Sequence, residues 1–389
     1  MSLVLIVWSL LFSVSLGFPS IYYLYMKYHA KKPWKIKLDE AYRPSISILV
    51  PMYNEEKTIR FKLENLYKVD YPADKVEIIL VNDASTDKTL DEVYKFIESH
   101  QGLKIKVLNR TGRSGKSGSL NFALKHAAGE VIVVSDADCF WPSNILVNAL
   151  PYLFDSNIGA VTGREYLLNS NSSLVTKGEI FYDNFVQTIR VGESKVHSTI
   201  PFQGGFAAYK REFLKEFDLE TDDSGTALRI VQEHGRTLII PEAPFYTTFP
   251  VTWKNRIAIK MRRAKQLQGI WVRCLKLLFQ GKLRLAKRIA VPEIFLHILN
   301  PIFFVAFMLA TLFLIMEQPF LIPVFAAILL LILAVPKGRI GLIETVQNNC
   351  ILVAAMALFF INKKPEPWKT VEESRSLLDE SILKEKCLI

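Results

Sequence analysis

Two aspartates one residue apart, Asp136 and Asp138 in SDADCFWP, follow the apolar β-branched run VIVV. A turn after a buried strand brings such carboxylates onto one hard divalent cation, and Mg2+ and Mn2+ both accept that oxygen set, completed by substrate phosphates. A second acidic pair, Asp222 and Asp223, stands in TDDSGTALRI, where each carboxylate can raise the other's pKa by like-charge repulsion. Helix capping is the competing use of either residue. The run RTGRSGKSGSLN, residues 110–121, has the glycines and the GKS of a phosphate loop. A Walker A loop needs four residues between its first glycine and the GK pair, and only two separate Gly112 from Gly115. The spacing argues against nucleotide hydrolysis and leaves Lys116 to hold some other anion. In VNDASTD, Asp83 can accept from a nucleobase edge, whereas Asp87 suits a helix cap. In PMYNEE, Tyr53 offers a flat face beside a base and Glu55 an acceptor for ribose or base; a turn entering a helix is the alternative. The glycines of QGGF, residues 203–206, allow close backbone approach to a ligand or a plain turn.

From about Ser45 short β-branched runs (SISILVP, VEIILVND, LKIKVLN, EVIVVSD) alternate with helically periodic stretches such as EKTIRFKLENLYK. Such alternation predicts an α/β, Rossmann-like parallel sheet with helices on both faces and a ligand beyond the carboxyl ends of its strands. YNEE, NDASTD, GRSGKSG and DADC all fall at those ends.

Half of the 389 residues are hydrophobic and the net charge is +10, so part of the chain belongs in a membrane and its partners are anionic. An apolar N-terminal stretch over residues 1–26 is long enough to span, and the basic KYHAKKPWKIK after it places the next segment in the cytoplasm. It lacks the basic start of a cleaved signal peptide. Beyond Pro241, WKNRIAIKMRRAKQLQGIWVRCLKLLFQGKLRLAKR has no acidic residue and reads as amphipathic helices on an anionic membrane surface. Nucleic acid is not an expected partner, because hydrophobic segments come immediately after. Two such segments flank EQP, and the positive-inside rule puts EQP outside and the PKGR beyond the second segment inside. A third, IGLIETVQNNCILVAAMALFF, carries Glu344, Gln347, Asn348 and Asn349 in its first half and is either a span or an interfacial element. As a simple span it would leave the lysine-bearing tail outside, against its charge. Cys139, Cys274, Cys350 and Cys387 show neither CxxC nor zinc spacing, which suits a reducing, cytosol-facing body. In the terminal KCLI, Lys386 stands where a prenylated cysteine would have to be.

Six segments in order, ILVPMYNEE, VNDASTD, GRSGKSGSLN, SDADCFWP, GGFAAYKRE and TDDSGTALRIVQEHG, resemble the family 2 inverting glycosyltransferases of GT-A fold over about residues 45–240. The flanking apolar segments resemble those of membrane-integrated members, which include polysaccharide synthases and polyprenyl-phosphate sugar transferases. The resemblance implies a nucleotide-diphosphate sugar donor, with uridine diphosphate expected, and Mg2+ or Mn2+ on Asp138 assisted by Asp136. It implies base contact by Asp83, nucleotide contacts by Tyr53 and Glu55, diphosphate contact by Lys116 with Arg113, and a general base in Asp223 with Asp222 as its neighbour. Gln203, Gly204 and Gly205 would face the acceptor. Processive members carry QxxRW. Laid against it, RRAKQLQG puts Arg262 for Gln, Lys265 for Arg and Gln266 for Trp, so the aromatic is lost and Trp271 lies more than a helical turn away. Arg262, Arg263, Lys265 and Gln266 are then diphosphate or lipid-phosphate contacts, or membrane-surface charge. The tail PEPWKTVEESR, with Trp368, is similar to the C-terminal segment of related synthases.

The expected organisation is an anchor over 1–26, a GT-A domain over 45–250, interfacial helices over 251–291, a transmembrane region over 292–362 and a charged tail over 363–389. The expected protein is an integral membrane glycosyltransferase working on the cytosolic face, with polyprenyl phosphate or a short glycan as acceptor. A processive β-polysaccharide synthase is the first alternative. A non-catalytic sugar-nucleotide-binding scaffold is the second.

Overall fold

The computed structural model describes residues 3–100, 102–170, 172–361 and 372–389; Trp368 lies outside the described residues. Helices α1 (Leu3–Phe12) and α2 (Phe18–Ala30) are joined by a π-helical turn and precede the first strand, β1 (Ile46–Met52). The expected alternation comes next: α3 (Ile59–Tyr67), β2 (Val76–Asn82), α4 (Thr89–Ser99), β3 (Lys104–Asn109), α5 (Gly115–Leu124) and β4 (Val131–Val134). Then come α6 (Ile145–Ala149), β5 (Ile158–Leu167), α7 (Leu174–Val196), β6 (Ala207–Lys210), α8 (Asp222–Gln232) and β7 (Arg236–Thr247). The remainder is helical: α9 (Trp253–Phe279), α10 (Lys287–Ile294), α11 (Asn300–Glu317), α12 (Ile322–Ala334), α13 (Pro336–Ile361), α14 (Glu372–Ser376) and α15 (Glu380–Glu385). The chain divides into two compact units. One comprises Lys32–Ser172, Glu193–Val251 and Pro365–Ile389; the other comprises Met1–Lys31, Ser173–Gly192 and Thr252–Lys364.

The first unit is built on a seven-stranded sheet of order β3-β2-β1-β4-β6-β5-β7. Strands β1 to β4 pair in parallel, but β6 runs antiparallel to both β4 and β5. The sheet is thus mixed rather than all parallel, since apolar periodicity carries no information on strand direction. Side chains alternate between the two faces as the pleat requires. Ile46, Ile48, Val50 and Met52 of β1 join Ile78, Leu80, Val131 and Val133 in one core, while Leu49, Ile79, Val81, Ile132 and Val134 enter the other. Each such side chain contributes about 1.5–3 kcal/mol on burial. The tail closes onto the same unit: Leu383, Leu388 and Ile389 pack with Phe140 and Leu168.

In the helical unit, three helices among the described residues are long and apolar enough to cross a membrane: Leu3–Ala30, Lys287–Glu317 and Pro336–Leu358. Helix α12 continues a 3-10 turn, so this apolar helix runs over Pro319–Ala334 and reaches only about 24 Å at 1.5 Å per residue, short of a hydrocarbon core of ~30 Å. The second C-terminal segment therefore falls short of a span, and placing PKGR inside, which counted it as one, loses its basis. The basic stretch also departs from expectation. It forms one 27-residue helix, α9, whose buried face includes Arg256, Lys260, Ala264, Gln268 and Trp271. Arg256 holds Glu344 by two bonds of 2.6 and 2.7 Å and reaches Gln347 at 2.9 Å. Lys260 reaches Glu344 at 3.0 Å, Asn348 at 3.0 Å and Glu179 at 3.2 Å. The polar half of α13 is thus satisfied by protein, the usual state of ionisable groups on membrane helices. These two cations are core groups, and only part of the basic run is available as surface charge. Trp271 is also buried, stacked on His297 with ring centroids 5.8 Å apart.

Candidate active site

A cleft with an empty volume of about 400 Å³ opens at the ends of β1, β2 and β4, and Tyr53, Glu55, Asp83, Arg113, Lys116, Asp136 and Asp138 all line it. Each sits just past a strand end or, for Arg113 and Lys116, where the chain enters α5. The antiparallel β6 completes the edge. Because it runs the other way, its start, not its end, lies there. The preceding QGGF loop meets the DADC loop through Asp136 N–H donating to Gly204 O at 3.1 Å, and Trp141 Nε1–H donates to Gly205 O at 2.7 Å.

Lys116 is the hub. Its Nζ lies 2.6 Å from Asp136 Oδ1 and 2.9 Å from Asp223 Oδ2. Burial alone would discharge this amine, but Asp136, Asp223 and Asp222 outweigh it and hold the pKa well above the ordinary lysine range. Next door, Ser117 Oγ donates to Asp222 Oδ1 at 2.7 Å, so both acids of TDD are met by the first turn of α5. A Cβ at Gly204 would meet Lys116 Nζ and the carboxylates of Asp223 and Asp136, so a side chain there has to displace this ion-paired cluster. Asp223 is 8% exposed. Burial raises its pKa, Lys116 lowers it, and Asp136 and Asp222 raise it further, to about 6. Its second oxygen, Oδ1, is buried with no hydrogen-bond partner among the described residues. An orphaned buried acceptor in a native structure calls for a chemical reason.

The other predicted residues take more structural parts. Asp83 accepts from Ser114 N–H at 2.9 Å, Ser114 Oγ–H at 3.0 Å and Gly115 N–H at 2.8 Å. It thereby holds the entrance of α5, where Gly115 adopts φ +75°. The guanidinium of Arg113 lies 3.9 Å over the Tyr53 ring, so one face of that ring is covered. Asp87 accepts from Thr89 N–H at 3.0 Å from one position before the N-cap of α4, Lys88, which makes no side-chain cap, so it fixes the turn into α4 rather than capping it. Glu55 lines the cleft yet is almost fully buried. Thr58 Oγ1 donates to it at 2.7 Å, and Arg375 pairs with both its oxygens. Arg262, Arg263, Lys265 and Gln266 lie on α9, in the helical unit rather than the unit that carries the cleft.

Three supporting residues carry no mark in the sequence pattern of the site. Arg375 binds Asp138 Oδ2 as well as Glu55. Lys62 donates to Cys139 O at 2.7 Å and lies 4.3 Å over the Trp141 ring, where burial pulls its pKa down to about 7. Asn65 accepts from Trp141 N–H at 2.8 Å and donates to Trp141 O at 2.7 Å. The available signal for the last two was polarity on the apolar stripe of α3, beside Ile59, Leu63 and Leu66. For Arg375 there was none, 237 residues from Asp138 in the chain.

Asp136, Asp138 and Cys139 bring potential ligand atoms within 4.8 Å of one another. Burial and the two neighbouring carboxylates push the Cys139 thiol well up, so it stays protonated. The remaining donors are hard carboxylate oxygens, a set that fits Mg2+ or Mn2+.

The pattern of glycosyl transferase family 2 matches residues 47–218. The mannosyltransferase PcManGT from Pyrobaculum calidifontis, solved in complex with GDP-Man and Mn2+, is 31% identical with a TM-score of 0.77, covering 93% of this chain and 100% of that one. A poly-beta-1,6-N-acetyl-D-glucosamine synthase of Staphylococcus epidermidis is 27% identical over 61% of this chain and 59% of its own length. A beta-monoglucosyldiacylglycerol synthase of Nostoc sp. is 36% identical over 35% of this chain and 29% of its own length. The chain thus spans less than two thirds of these two relatives. With a strand-end cleft, an aspartate pair suited to a divalent cation and a full-length structural relative, the chain belongs to glycosyl transferase family 2.

Proposed function

We propose that this protein is a membrane-anchored, metal-dependent, inverting glycosyltransferase that moves a sugar from a nucleoside-diphosphate sugar to a lipid-linked or short glycan acceptor on the cytosolic face. The observation that carries the reading is Asp223. It is a buried carboxylate with a pKa of about 6 and one unpartnered oxygen, joined through a single ammonium to the aspartate pair. A general base works best with its pKa near the operating pH.

In this mechanism Asp223 Oδ1 accepts the proton of the acceptor hydroxyl as its oxygen attacks the anomeric carbon. The bond to the leaving diphosphate breaks on the opposite face, and its electron pair stays on the diphosphate oxygen. Lys116, held charged by its three aspartates, and Arg113 face that developing charge. Asp136 and Asp138 would hold the divalent cation, which when bound supplies Lewis-acid stabilisation of the leaving group. Tyr53 keeps one ring face for the base. Gln203 accepts from Glu165 N–H at 3.3 Å and donates to Glu165 Oε2 at 3.2 Å, giving the acceptor wall a fixed amide.

Three candidate spans also supply a consistent topology. One crossing before the catalytic unit and two more after it leave that unit and its tail on one face, as their common packing requires. The basic flank of the first span supports reading that face as cytosolic. UDP-sugars and GDP-Man, the donor bound by the full-length relative, are the donor candidates.

The test is incubation of the detergent-solubilised protein with radiolabelled UDP- and GDP-sugars, Mn2+ or Mg2+ and polyprenyl phosphate, with the product then sized. A single labelled glycolipid supports the proposal. A high-molecular-weight, glycosidase-sensitive product replaces it with processive synthesis, and donor binding without any product leaves the scaffold.

A further inference from the structure

We infer that Arg375, carried by the C-terminal tail, is a positioning residue for the metal-binding carboxylate of Asp138, which makes the tail part of the catalytic centre. The inference rests on the reading of Asp136 and Asp138 as the cation site. Arg375 lies against the DADC loop with 8% of its side chain exposed. Its Nε donates to Glu55 Oε2 at 3.0 Å, its Nη2 donates to Glu55 Oε1, and its Nη1 donates to Asp138 Oδ2. The guanidinium is therefore held edge-on by one carboxylate through Nε and Nη2 while Nη1 holds one oxygen of the other.

The grip is one-sided. Asp138 Oδ2 is taken, whereas among the described residues Oδ1 meets only the Cys139 thiol at 3.8 Å, a weak donor. One oxygen is thus oriented by protein and the other left for a cation, the arrangement by which partners behind a ligand fix its direction. A fixed cation beside a metal site would ordinarily repel the metal. Here the buried Glu55 offsets the charge of Arg375, so orientation is supplied with little net electrostatic cost. Only arginine makes this contact, since an ammonium has no planar fork with which to bridge two carboxylates side by side.

Arg375 is also not a removable plug. The segment on either side is tied down: Thr248 Oγ1 donates to Ser374 O at 2.7 Å, Val251 N–H donates to the Glu373 side chain (Oε1) at 3.1 Å and Asn65 Nδ2 donates to Leu388 O at 2.7 Å. Leu383, Leu388 and Ile389 bury themselves beside Phe140, the residue two positions past Asp138. Displacing the arginine from its carboxylates would mean unpacking this segment.

The experiment measures Mn2+ binding by electron paramagnetic resonance on the full chain in detergent, with UDP and with GDP present, for wild type, Arg375→Lys, Glu55→Gln and the double variant. Near-ultraviolet circular dichroism establishes folding. We expect the Mn2+ dissociation constant to rise about 10–100-fold in each single variant, the usual effect of losing a partner behind a metal ligand. The double variant should be no worse than the poorer single one, because both act through the same guanidinium. In transfer assays the half-saturating Mn2+ concentration should move further than kcat. Glu380→Gln, which breaks the exposed pairs of this residue with Arg60 and Lys384, should leave Mn2+ binding unchanged. Folded Arg375→Lys and Glu55→Gln proteins that bind Mn2+ like wild type overturn the inference while leaving the cation site standing. A wild type that binds no Mn2+ overturns the cation site and the inference with it.

Discussion

Replacing Asp223 with asparagine should disable the enzyme and stabilise the fold at once. Loss of a general base costs typically 10²–10⁴-fold in rate, and the asparagine cannot take the acceptor proton. The stability effect comes from the same burial. The carboxyl has an ordinary pKa of 3.8 and is raised to about 6 in the folded chain. At about 1.4 kcal/mol per pKa unit, the ionised form costs the native state on the order of 3 kcal/mol. The sign is that of a carboxylate held above its unfolded value. The folded state binds the extra proton between the two pKa values, so the penalty is absent below 3.8 and complete above about 6. Thermal unfolding in detergent, monitored for both proteins from about pH 4 to about pH 7.5, should show the variant melting several degrees higher at the upper pH, with the gap closing toward the lower one. Full transfer activity in Asp223→Asn, or a melting difference that does not change with pH, would refute the assignment of this residue as a buried, raised-pKa base.

In wild type the rate should rise with pH through an inflection near 6 and then level off; Lys116→Met removes the charge that holds Asp223 down, and its acid limb should lie at higher pH. Gly204→Ala forces a Cβ onto Lys116 Nζ, which we expect to abolish transfer and to destabilise by about 1–3 kcal/mol, as overpacking does; activity and melting measured on the same preparation check both. Arg256→Met strips the buried Glu344 and Glu179 of a close cationic partner, a change that costs about 3–5 kcal/mol in buried pairs, so the variant should melt markedly lower than wild type while Arg263→Met, whose side chain is half exposed, should not. Chelation with EDTA should stop transfer, with Mn2+ or Mg2+ restoring it.

The chemistry of the cleft was legible in the chain because each cluster is local. Asp136 and Asp138 come after a run of β-branched residues, Lys116 opens a helix after a glycine turn, and Asp222 and Asp223 begin another; strand-end position is a short-range property that hydrophobic periodicity reports directly. The ordered segments were enough to indicate the family before any geometry was known. Which oxygen of Asp223 is free, which acids share Lys116 and what a side chain at Gly204 would displace are facts of packing between segments far apart in the chain, 107 residues in the case of Lys116 and Asp223, and no periodicity carries them. The direction of β6 was equally hidden, although it decides that QGGF reaches the cleft. The charge pattern beyond Trp253 misled for a physical reason: composition counts cations without saying which face of a helix bears them, and Arg256 and Lys260 turn inward to acids on α7 and α13. The tail shows the limit most sharply. VEESRS reads as a solvated charged segment. Only the folded chain, by burying Leu383, Leu388 and Ile389 beside Phe140, brings Arg375 to the carboxylate of Asp138. A sequence determines which groups are available and what each can do; the long-range burial of apolar side chains decides which of them meet.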